Sequence, residues 1–271
     1  MGEKTITFQS NKKYKERINM NYEDRYVIFL DILGFKNMVM KSENNPNLLE
    51  KINKILNRIQ EIKTDDVLLT KSDRQVSIFS DSIIISYSSI KPGIVYPILE
   101  DIIYLCIEFS YENIWIRGGI SFGKLYHKGD KCFGPALINA TNLESKHAKY
   151  ARVVVDTDFL VTTIANPPKS FSIKEYKNGI MDLLKKDSSD NVYYLNFLDS
   201  IPYTLDNPDD IETIFFKIKN NITQSLISYK NNTEILEKYE WMKNYYNETV
   251  EKNFSVETSC EVKKPLLIHN Y

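Results

Sequence analysis

The stretch FLDILGF, residues 29–35, organises the chain around it. It lies in a continuous apolar run, YVIFLDIL (26–33), whose β-branched residues are typical of a strand buried on both faces. Asp31 places one carboxylate inside that run. A second stretch, FSDSIII (79–85), places Asp81 between two short apolar segments. Both aspartates stand where an aliphatic side chain would be cheaper to bury, which indicates a functional reason for the charge.

Carboxylates on two neighbouring strands approach each other within a few ångströms. Like charges at that separation repel each other and lose solvation, so the pair needs a cation. Two divalent ions roughly 3.5–4 Å apart, bridged by such a pair, activate a hydroxyl and steady phosphates during in-line displacement. The alternative is that Asp31 and Asp81 each cap a turn. The metal site is the favoured interpretation, because both residues are flanked by apolar strands.

The composition sets limits on the class of protein. The chain has 271 residues, 35 Lys and Arg and 36 Asp and Glu, which leave no general attraction to nucleic acid or anionic membranes. Its length suits one large domain or a domain with an appended element. The three cysteines, Cys106, Cys132 and Cys260, form no CxxC motif and predict neither a disulfide framework nor structural zinc. The most apolar long stretch (93–109) is broken by charges, so we expect a cytoplasmic protein.

Strand and helix patterns alternate outward from the two aspartates. The predicted elements are a strand (26–33), two helices (35–63) divided at 44–46, two strands (75–88), a helix after Gly93, a strand interrupted by Gly-Gly and then a further arm (114–126), a helix (134–150) and a strand (151–156). This order, βααββαββαβ, predicts an α+β sandwich with helices on one face of a sheet.

The chain is predicted to divide into three parts. Residues 1–24 form a polar N-terminal lead-in, and residues 25–200 form the domain that carries both aspartates. Within that domain, the segment 183–198 is typical of a hairpin. Residues 201–271 form a helical C-terminal extension.

Four motifs, in order, resemble those of the class III nucleotidyl cyclases, the fold of adenylate and guanylate cyclase catalytic domains. FLDILGF resembles their first metal-binding strand and phosphate-cradling turn, and FSDSIII their second metal-binding hairpin. IRGGISFG (116–123) resembles the strand before the dimer-contacting hairpin, and GPALINATNLES (134–145) resembles the helix that holds the transition-state residues. The resemblance covers about residues 25–200 and implies a ferredoxin-like antiparallel sheet with helices on one face.

The resemblance also implies a set of site residues. Asp31 and Asp81 would ligate two Mn²⁺ or Mg²⁺ ions per active site, and the carbonyl of Ile32 would contribute to one of them. Backbone amides at the turn that follows would contact the triphosphate. The remaining candidates implied by position are Leu33, Gly34, Phe35, Arg117 and Lys128 for phosphate, Ser77, Phe79 and Lys131 for the base, and Asn139, Asn142 and Arg152 for the transition state.

The sequence departs from the purine cyclases at the positions that read the base. Ser77 stands where those enzymes have a base-contacting lysine, and Lys131 replaces its acidic partner. Ile138 and Asn142 stand at the transition-state Asn and Arg positions. Two interpretations follow: a catalytically inactive cyclase-like module for nucleotide binding or dimerisation, or an active cyclase for a smaller base.

The active interpretation is favoured, because a chain that no longer held metal would have no physical reason to keep two buried carboxylates together. RGGISFG (117–123), FGPALINATNLES (133–145) and KYARVVVD (149–156), with EKYEWMKNYYNE (237–248) in the helical C-terminal extension, resemble the bacterial pyrimidine cyclases of Pycsar anti-phage systems, which have compact base pockets. That resemblance implies conversion of UTP, ahead of CTP, to the 3′,5′-cyclic monophosphate and pyrophosphate. It also implies a head-to-tail homodimer with active sites at the interface. An adenylate cyclase with an unusual base pocket ranks below both interpretations.

Several basic residues have a second interpretation. Arg117 is either a phosphate ligand or an interface or surface arginine, and Lys128 and Lys131 are otherwise solvated loop lysines. Arg152 is either a transition-state residue or the partner of an acidic neighbour. His127 is predicted to face solvent or an interface rather than to act as a general base.

Overall fold

The apolar run around Asp31 forms an interior strand of a sheet that has eight strands within the described residues. The computed structural model describes residues 21–64, 73–205, 207, 209–254 and 267–268. Within them the strands are β1 (Glu23–Ile32), β2 (Gln75–Phe79), β3 (Ser82–Ser88), β4 (Ile116–Lys128), β5 (Lys131–Phe133), β6 (Val153–Val155), β7 (Leu184–Lys186) and β8 (Tyr193–Leu195). The helices are α1 (Phe35–Ser42), α2 (Pro46–Thr64), α3 (Val95–Tyr111), α4 (Pro135–His147), α5 (Thr157–Ala165), α6 (Ile173–Asp182), α7 (Phe197–Thr204), α8 (Asp209–Ser228) and α9 (Thr233–Asn253).

The strand order in the sheet is β2-β3-β1-β4-β6-β8-β7, and β5 pairs with β4 outside this path. Neighbouring strands are antiparallel except β4 and β6, which run parallel. The fold is therefore mixed α+β with a sheet that is mostly antiparallel, as predicted. The predicted helices and strands from β1 to β6 are found, except that the two strands expected within 114–126 form the single strand β4 and that β5 was not predicted. The hairpin of β7 and β8 is confirmed.

The two faces of β1 pack against different layers, because successive side chains of a strand point to opposite faces. Ile28 and Leu30 belong to the main core, together with residues of α2 and α3. Val27 lies in a second, smaller cluster with Ala136 and Ala140 of α4. One part of the fold prediction is therefore not met: α4 covers the face opposite to α2 and α3.

The Gly-Gly pair does not interrupt β4, which was predicted to break there. Gly118 and Gly119 lie inside a continuous strand of 13 residues. A Cβ atom added at Gly119 would lie 2.2 Å from the carbonyl oxygen of Ala140 in α4. One added at Gly118 would lie 2.3 Å from the carbonyl oxygen of Phe29 in β1. The glycines permit close packing within this chain, with α4 directly against the backbone of β4.

The region after β6 contains helices that the sequence did not predict, namely α5, α6 and α7. The C-terminal helices pack into the main core, where Phe215 of α8 and Tyr246 of α9 are fully buried. The division of the chain at residue 200 stays a prediction. Most of the polar lead-in and Cys260 lie outside the described residues, while Cys106 and Cys132 are free thiols. Among the described helices, none has the length and apolar character needed to cross a membrane.

Replacing Gly119 by Ala should destabilise the fold by about 1–3 kcal/mol, because the new methyl group forces α4 away from the sheet. The measurement is a urea titration with the slope held in common between variants. Gly179→Ala is the matched control. Its Cβ would lie 3.5 Å from the Tyr96 ring, in ordinary contact, and alanine favours helix α6 by up to about 1 kcal/mol. Equal stability of the Gly119 variant and the wild type would contradict this account.

Candidate functional site

The two aspartates lie near each other at one end of the sheet. Asp31 is the penultimate residue of β1, and Asp81 lies in the tight turn between β2 and β3. Because β1 pairs with β3, with Leu30 opposite Ile83, the end of β1 lies beside that turn. The turn begins at Ser80, whose φ of 55° is in the left-handed region. The strand pairing thus brings together the two carboxylates that the sequence singled out.

Asp31 already has a cationic partner within the chain. The β1–β4 register places Arg117 directly opposite Asp31. Its guanidinium contacts one carboxylate oxygen, Oδ2, through Nε at 2.9 Å and Nη2 at 2.8 Å. The Asp31 side chain is 15% exposed and that of Arg117 is 29% exposed. Arg117, predicted as a phosphate ligand or an interface arginine, therefore serves as the counter-charge of Asp31 in this state of the protein.

Glu144 of α4 is a third carboxylate at this position. Its Oε1 lies 2.9 Å from Nε of Arg117, within ion-pair distance, but the angles are unsuitable for a hydrogen bond. This buried oxygen has no hydrogen-bond partner among the residues that the structure describes. Glu144 is not among the site residues predicted from the sequence. The available signal was its spacing of four from Ala140 and eight from Ala136, which puts it on the sheet-facing side of α4.

The surroundings of Asp31 disfavour its ionised form. Burial raises the pKa of the Asp31 carboxyl group, Arg117 lowers it, and Asp81 raises it through both its charge and a side-chain hydrogen bond. Burial likewise raises the pKa of Glu144, which Arg117 lowers and the charge of Asp31 raises. The cluster therefore holds more negative charge than Arg117 compensates.

Divalent metal ions suit this donor set chemically, because Mg²⁺ and Mn²⁺ prefer carboxylate oxygens and keep ligand positions for water or phosphate. Asp31 and Asp81 are close enough to interact directly. In the part of the chain that the structure describes, no group of three or more His, Cys, Asp or Glu side chains is arranged to hold a metal ion. The two aspartates thus fit an ion that takes its remaining ligands from a substrate, water or the backbone.

The turn after β1 prepares the start of α1 for an anion. Gly34 is the N-cap of α1, with φ of 80°, and no side chain in the described ranges caps the helix there. Phe35 is buried and anchors the helix. The amide of Leu33 donates to the carbonyl oxygen of Trp115 at 2.8 Å and is therefore committed to the sheet. The amides from Gly34 onward are those that the geometry of a helix start leaves for a ligand.

A chain of buried hydrogen bonds ends at Ser77. Nε of Arg25 donates to Oγ of Ser86 at 2.9 Å, Oγ of Ser86 lies 2.8 Å from Nδ1 of His127, and Nε2 of His127 lies 2.9 Å from Oγ of Ser77. The Ser77 hydroxyl donates to the carbonyl oxygen of Gly129 at 3.1 Å, so His127 must donate to Ser77 through Nε2. His127 is only 4% exposed, so of its two predicted positions, facing solvent or at an interface, the first is wrong.

The other base-pocket candidates lie at the surface. Phe79, at the end of β2, is 83% exposed. Lys128 and Lys131 are exposed and face each other across the β4–β5 hairpin, where Lys128 lies 5.9 Å from the centre of the Tyr126 ring. In this chain neither lysine is brought to Asp31 by an ion pair or a hydrogen bond that the described residues form. Ser77 pairs with Ile84 of β3, and Ile84 pairs with Phe29 of β1. Phe29 and Asp31 are two residues apart in β1, so Ser77 lies on the same face of the sheet as Asp31.

The transition-state candidates fall in two environments. Asn139 and Asn142 are exposed on α4. Arg152 is 2% exposed, and its guanidinium donates to the carboxylates of Asp187 and Asp190 and to the carbonyl oxygen of His147. Of the two interpretations of Arg152, the structure has the one in which it pairs with acidic neighbours.

Comparison with known proteins finds no matching family model and no matching curated protein. Solved structures that match include the adenylyl cyclase CyaB from P. aeruginosa. It is 16% identical over 64% of this chain and 94% of that chain, with a TM-score of 0.41. A bacterial light-regulated adenylyl cyclase is 13% identical over 68% of this chain and 95% of its own, with a TM-score of 0.36.

Replacing Asp81 by Asn should leave the melting temperature at pH 7.5 equal or up to about 4 °C higher in the presence of EDTA. The native state binds the Asp31 proton more tightly than the unfolded chain does. The stability that the protonated Asp31 contributes is therefore complete below the ordinary pKa of 3.8, and it is lost as the pH rises through the raised pKa of the folded state. Removing the Asp81 charge reduces that loss, so the gain should shrink as the pH falls toward 4.

The measurement is thermal unfolding followed by circular dichroism across that pH range. Glu43→Gln, which neutralises an exposed carboxylate at the end of α1, is the control and should change little at any pH. A clear fall in the melting temperature of the Asp81 variant at pH 7.5 would mean that this carboxylate is structural.

Proposed function

We propose that the chain is a metal-dependent nucleotidyl cyclase that converts a pyrimidine nucleoside triphosphate, UTP ahead of CTP, to the 3′,5′-cyclic monophosphate and pyrophosphate. The observation that carries the proposal is the approach of Asp31 and Asp81 at the end of β1, beside the uncapped start of α1. Carboxylates that bind divalent ions and amides that bind phosphate are thus adjacent, as a nucleotide triphosphate requires.

The reaction requires one bond to form and one to break. The ribose 3′-oxygen attacks the α-phosphorus, its proton leaves to solvent, and the bond from that phosphorus to the oxygen between the α- and β-phosphates breaks, which releases pyrophosphate. Two divalent ions, when bound, activate the 3′-hydroxyl and neutralise phosphate charge. In this proposal Asp31, Asp81 and the Ile32 carbonyl hold those ions, while the amides of Gly34 and Phe35 bind the phosphates.

The assignment of a pyrimidine rests on Ser77. Its hydroxyl already donates to Gly129 and accepts from His127, so it has room to accept one more hydrogen bond. It therefore suits an N–H donor such as N3 of uracil or the amino group of cytosine. Phe79 would supply an apolar face, and Lys131 a charge, in the pocket that a second subunit completes in a head-to-tail homodimer. The cyclic product would then act as a second messenger, with anti-phage defence as the role that the family resemblance suggests.

The alternative is a catalytically inactive nucleotide-binding or dimerisation module. The observation that favours it is that Arg117 already provides a counter-charge for one carboxylate oxygen of Asp31 without a metal ion. An adenylate cyclase with an unusual base pocket is a third candidate, for which Ser77 would have to accept from the adenine amino group.

The deciding experiment is incubation of the purified protein with Mn²⁺ and each of the four labelled nucleoside triphosphates, followed by chromatography of the products. We expect cyclic UMP, with cyclic CMP second. Asp31→Asn and Asp81→Asn should each lower kcat by about 100-fold or more, because each weakens the binding of the ions that activate the 3′-hydroxyl and neutralise phosphate charge. Glu43→Gln is the control with unchanged activity.

Two outcomes would contradict the proposal in different ways. Faster conversion of ATP than of UTP or CTP would remove the pyrimidine assignment and leave the cyclase. No cyclic product from any triphosphate, with nucleotide binding retained in the Asp31→Ala and Asp81→Ala double variant, would favour the inactive module.

A further inference from the structure

Arg117 is held between two carboxylates in two different ways. It donates one hydrogen bond to Oδ2 of Asp31 from Nε, at 2.9 Å, and its Nη2 lies 2.8 Å from the same oxygen, at ion-pair distance. To Glu144 it makes an electrostatic contact of 2.9 Å without a hydrogen bond. The Glu144 oxygen in that contact, Oε1, is buried and has no hydrogen-bond partner within the described chain. A buried acceptor without a donor is costly, so a small rotation of the guanidinium toward Glu144 would satisfy it.

The contact with Asp31 conflicts with metal binding. Two guanidinium nitrogens of Arg117 lie within 2.9 Å of Oδ2 of Asp31, and one of them, Nε, donates a hydrogen bond to it. A divalent ion that binds through this oxygen must displace at least one of them. The guanidinium then also lies beside a like charge, which repels it. Metal binding therefore requires another place for Arg117.

Glu144 is fixed in position to receive the guanidinium. It lies on the sheet-facing side of α4, one helical turn after Ala140, whose carbonyl oxygen sits directly against Gly119 of β4. The helix cannot approach or tilt without a clash at that contact. The movable partner is therefore the long side chain of Arg117, which is 29% exposed, and the fixed partner is the Glu144 carboxylate.

We propose that Glu144 is a positioning residue that takes the Arg117 guanidinium from Asp31 when a divalent ion binds. This role of Glu144 rests on the proposed function, in which the same divalent ion binds at Asp31 and Asp81. Once held by Glu144, Arg117 keeps its remaining N–H groups for the phosphate oxygens of the metal-bound substrate. The same arginine thus stabilises the site before metal binding and binds the substrate after it.

The test is the affinity for Mn²⁺ without nucleotide, measured by electron paramagnetic resonance of the free ion. Arg117→Met removes the competing cation and should tighten Mn²⁺ binding about 10-fold. Glu144→Gln removes the alternative partner, leaves Arg117 on Asp31 and should weaken binding about 10-fold. In the Arg117→Met background the Glu144→Gln change should have little further effect, because Glu144 acts through Arg117.

The double variant separates this inference from a simple charge effect. If Glu144 attracted the ion only through its own charge, Glu144→Gln would weaken Mn²⁺ binding equally in both backgrounds, and the inference would be wrong. Glu108→Gln is the matched control. This helical glutamate lies outside the cluster and is paired with Arg58, with 2.8 Å between Nε of Arg58 and Oε1 of Glu108. Its replacement should leave the Mn²⁺ affinity unchanged. Arg117→Gln serves as a second charge-removing variant if Arg117→Met does not fold.

The two proposals fail in distinguishable ways. In one case the wild-type protein binds Mn²⁺ and forms a cyclic nucleotide, but Glu144→Gln weakens Mn²⁺ binding equally in both backgrounds. The proposed cyclase activity then stands, and the proposed role of Glu144 is wrong. In the other case Mn²⁺ binding follows the expected pattern in the single and double variants, but the wild-type protein forms no cyclic product. The transfer of Arg117 to Glu144 then stands, and the proposed cyclase activity is wrong. Absence of Mn²⁺ binding up to millimolar concentrations would overturn both.

Discussion

The pairing of Asp31 with Arg117 across β1 and β4 is the interaction on which the site depends. It exists because the register of the two strands sets these residues opposite each other, on the face of the sheet that carries Val27. A slip of one residue would turn the Asp31 carboxylate into the main core and expose its apolar neighbours. The apolar side chains that fill the main core therefore also fix where the charge of the site lies. Burial of Ile28 and Leu30 sets the register that holds Asp31 opposite Arg117.

The second constraint is the close approach of α4 to the sheet. Gly119 and Ala140 leave no room for larger side chains between helix and strand, and this proximity brings Glu144 to Arg117. Glycine or alanine at such a contact usually serves only to let a helix and a strand pack closely. Here the packing also sets the separation of the charged groups of Arg117 and Glu144, so the backbone geometry determines part of the electrostatics of the site. The hydrogen-bonded chain through His127 has the same character, because it ties the β4–β5 hairpin to β2 and fixes the direction of the Ser77 hydroxyl.

Local sequence patterns predict the elements well and their mutual contacts poorly. The apolar run of β1, the turn at Ser80 and the helix break at 44–46 each follow from a few adjacent residues, and the structure confirms all three. The meeting of the two aspartates was predictable too, because it needs only two neighbouring strands. The partner of Asp31 was not, because a cross-strand register joins residues 86 positions apart. The same reason explains the misplaced His127, whose burial depends on a hairpin folding back over β2 and β3.

The charge balance of the cluster bears on whether the site is inert. A salt bridge that served only stability would pair one carboxylate with one guanidinium, since each further buried charge costs solvation. Here Asp31 and Glu144 share Arg117, and Asp81 adds a third carboxylate whose charge disfavours ionisation of Asp31. Stability alone gives no reason for this excess of negative charge next to an uncapped helix start. A binding site gives one, because cations and phosphate arriving together satisfy both the surplus carboxylates and the unpaired amides. The arrangement is therefore better explained by a ligand that carries both charges than by the packing of the fold.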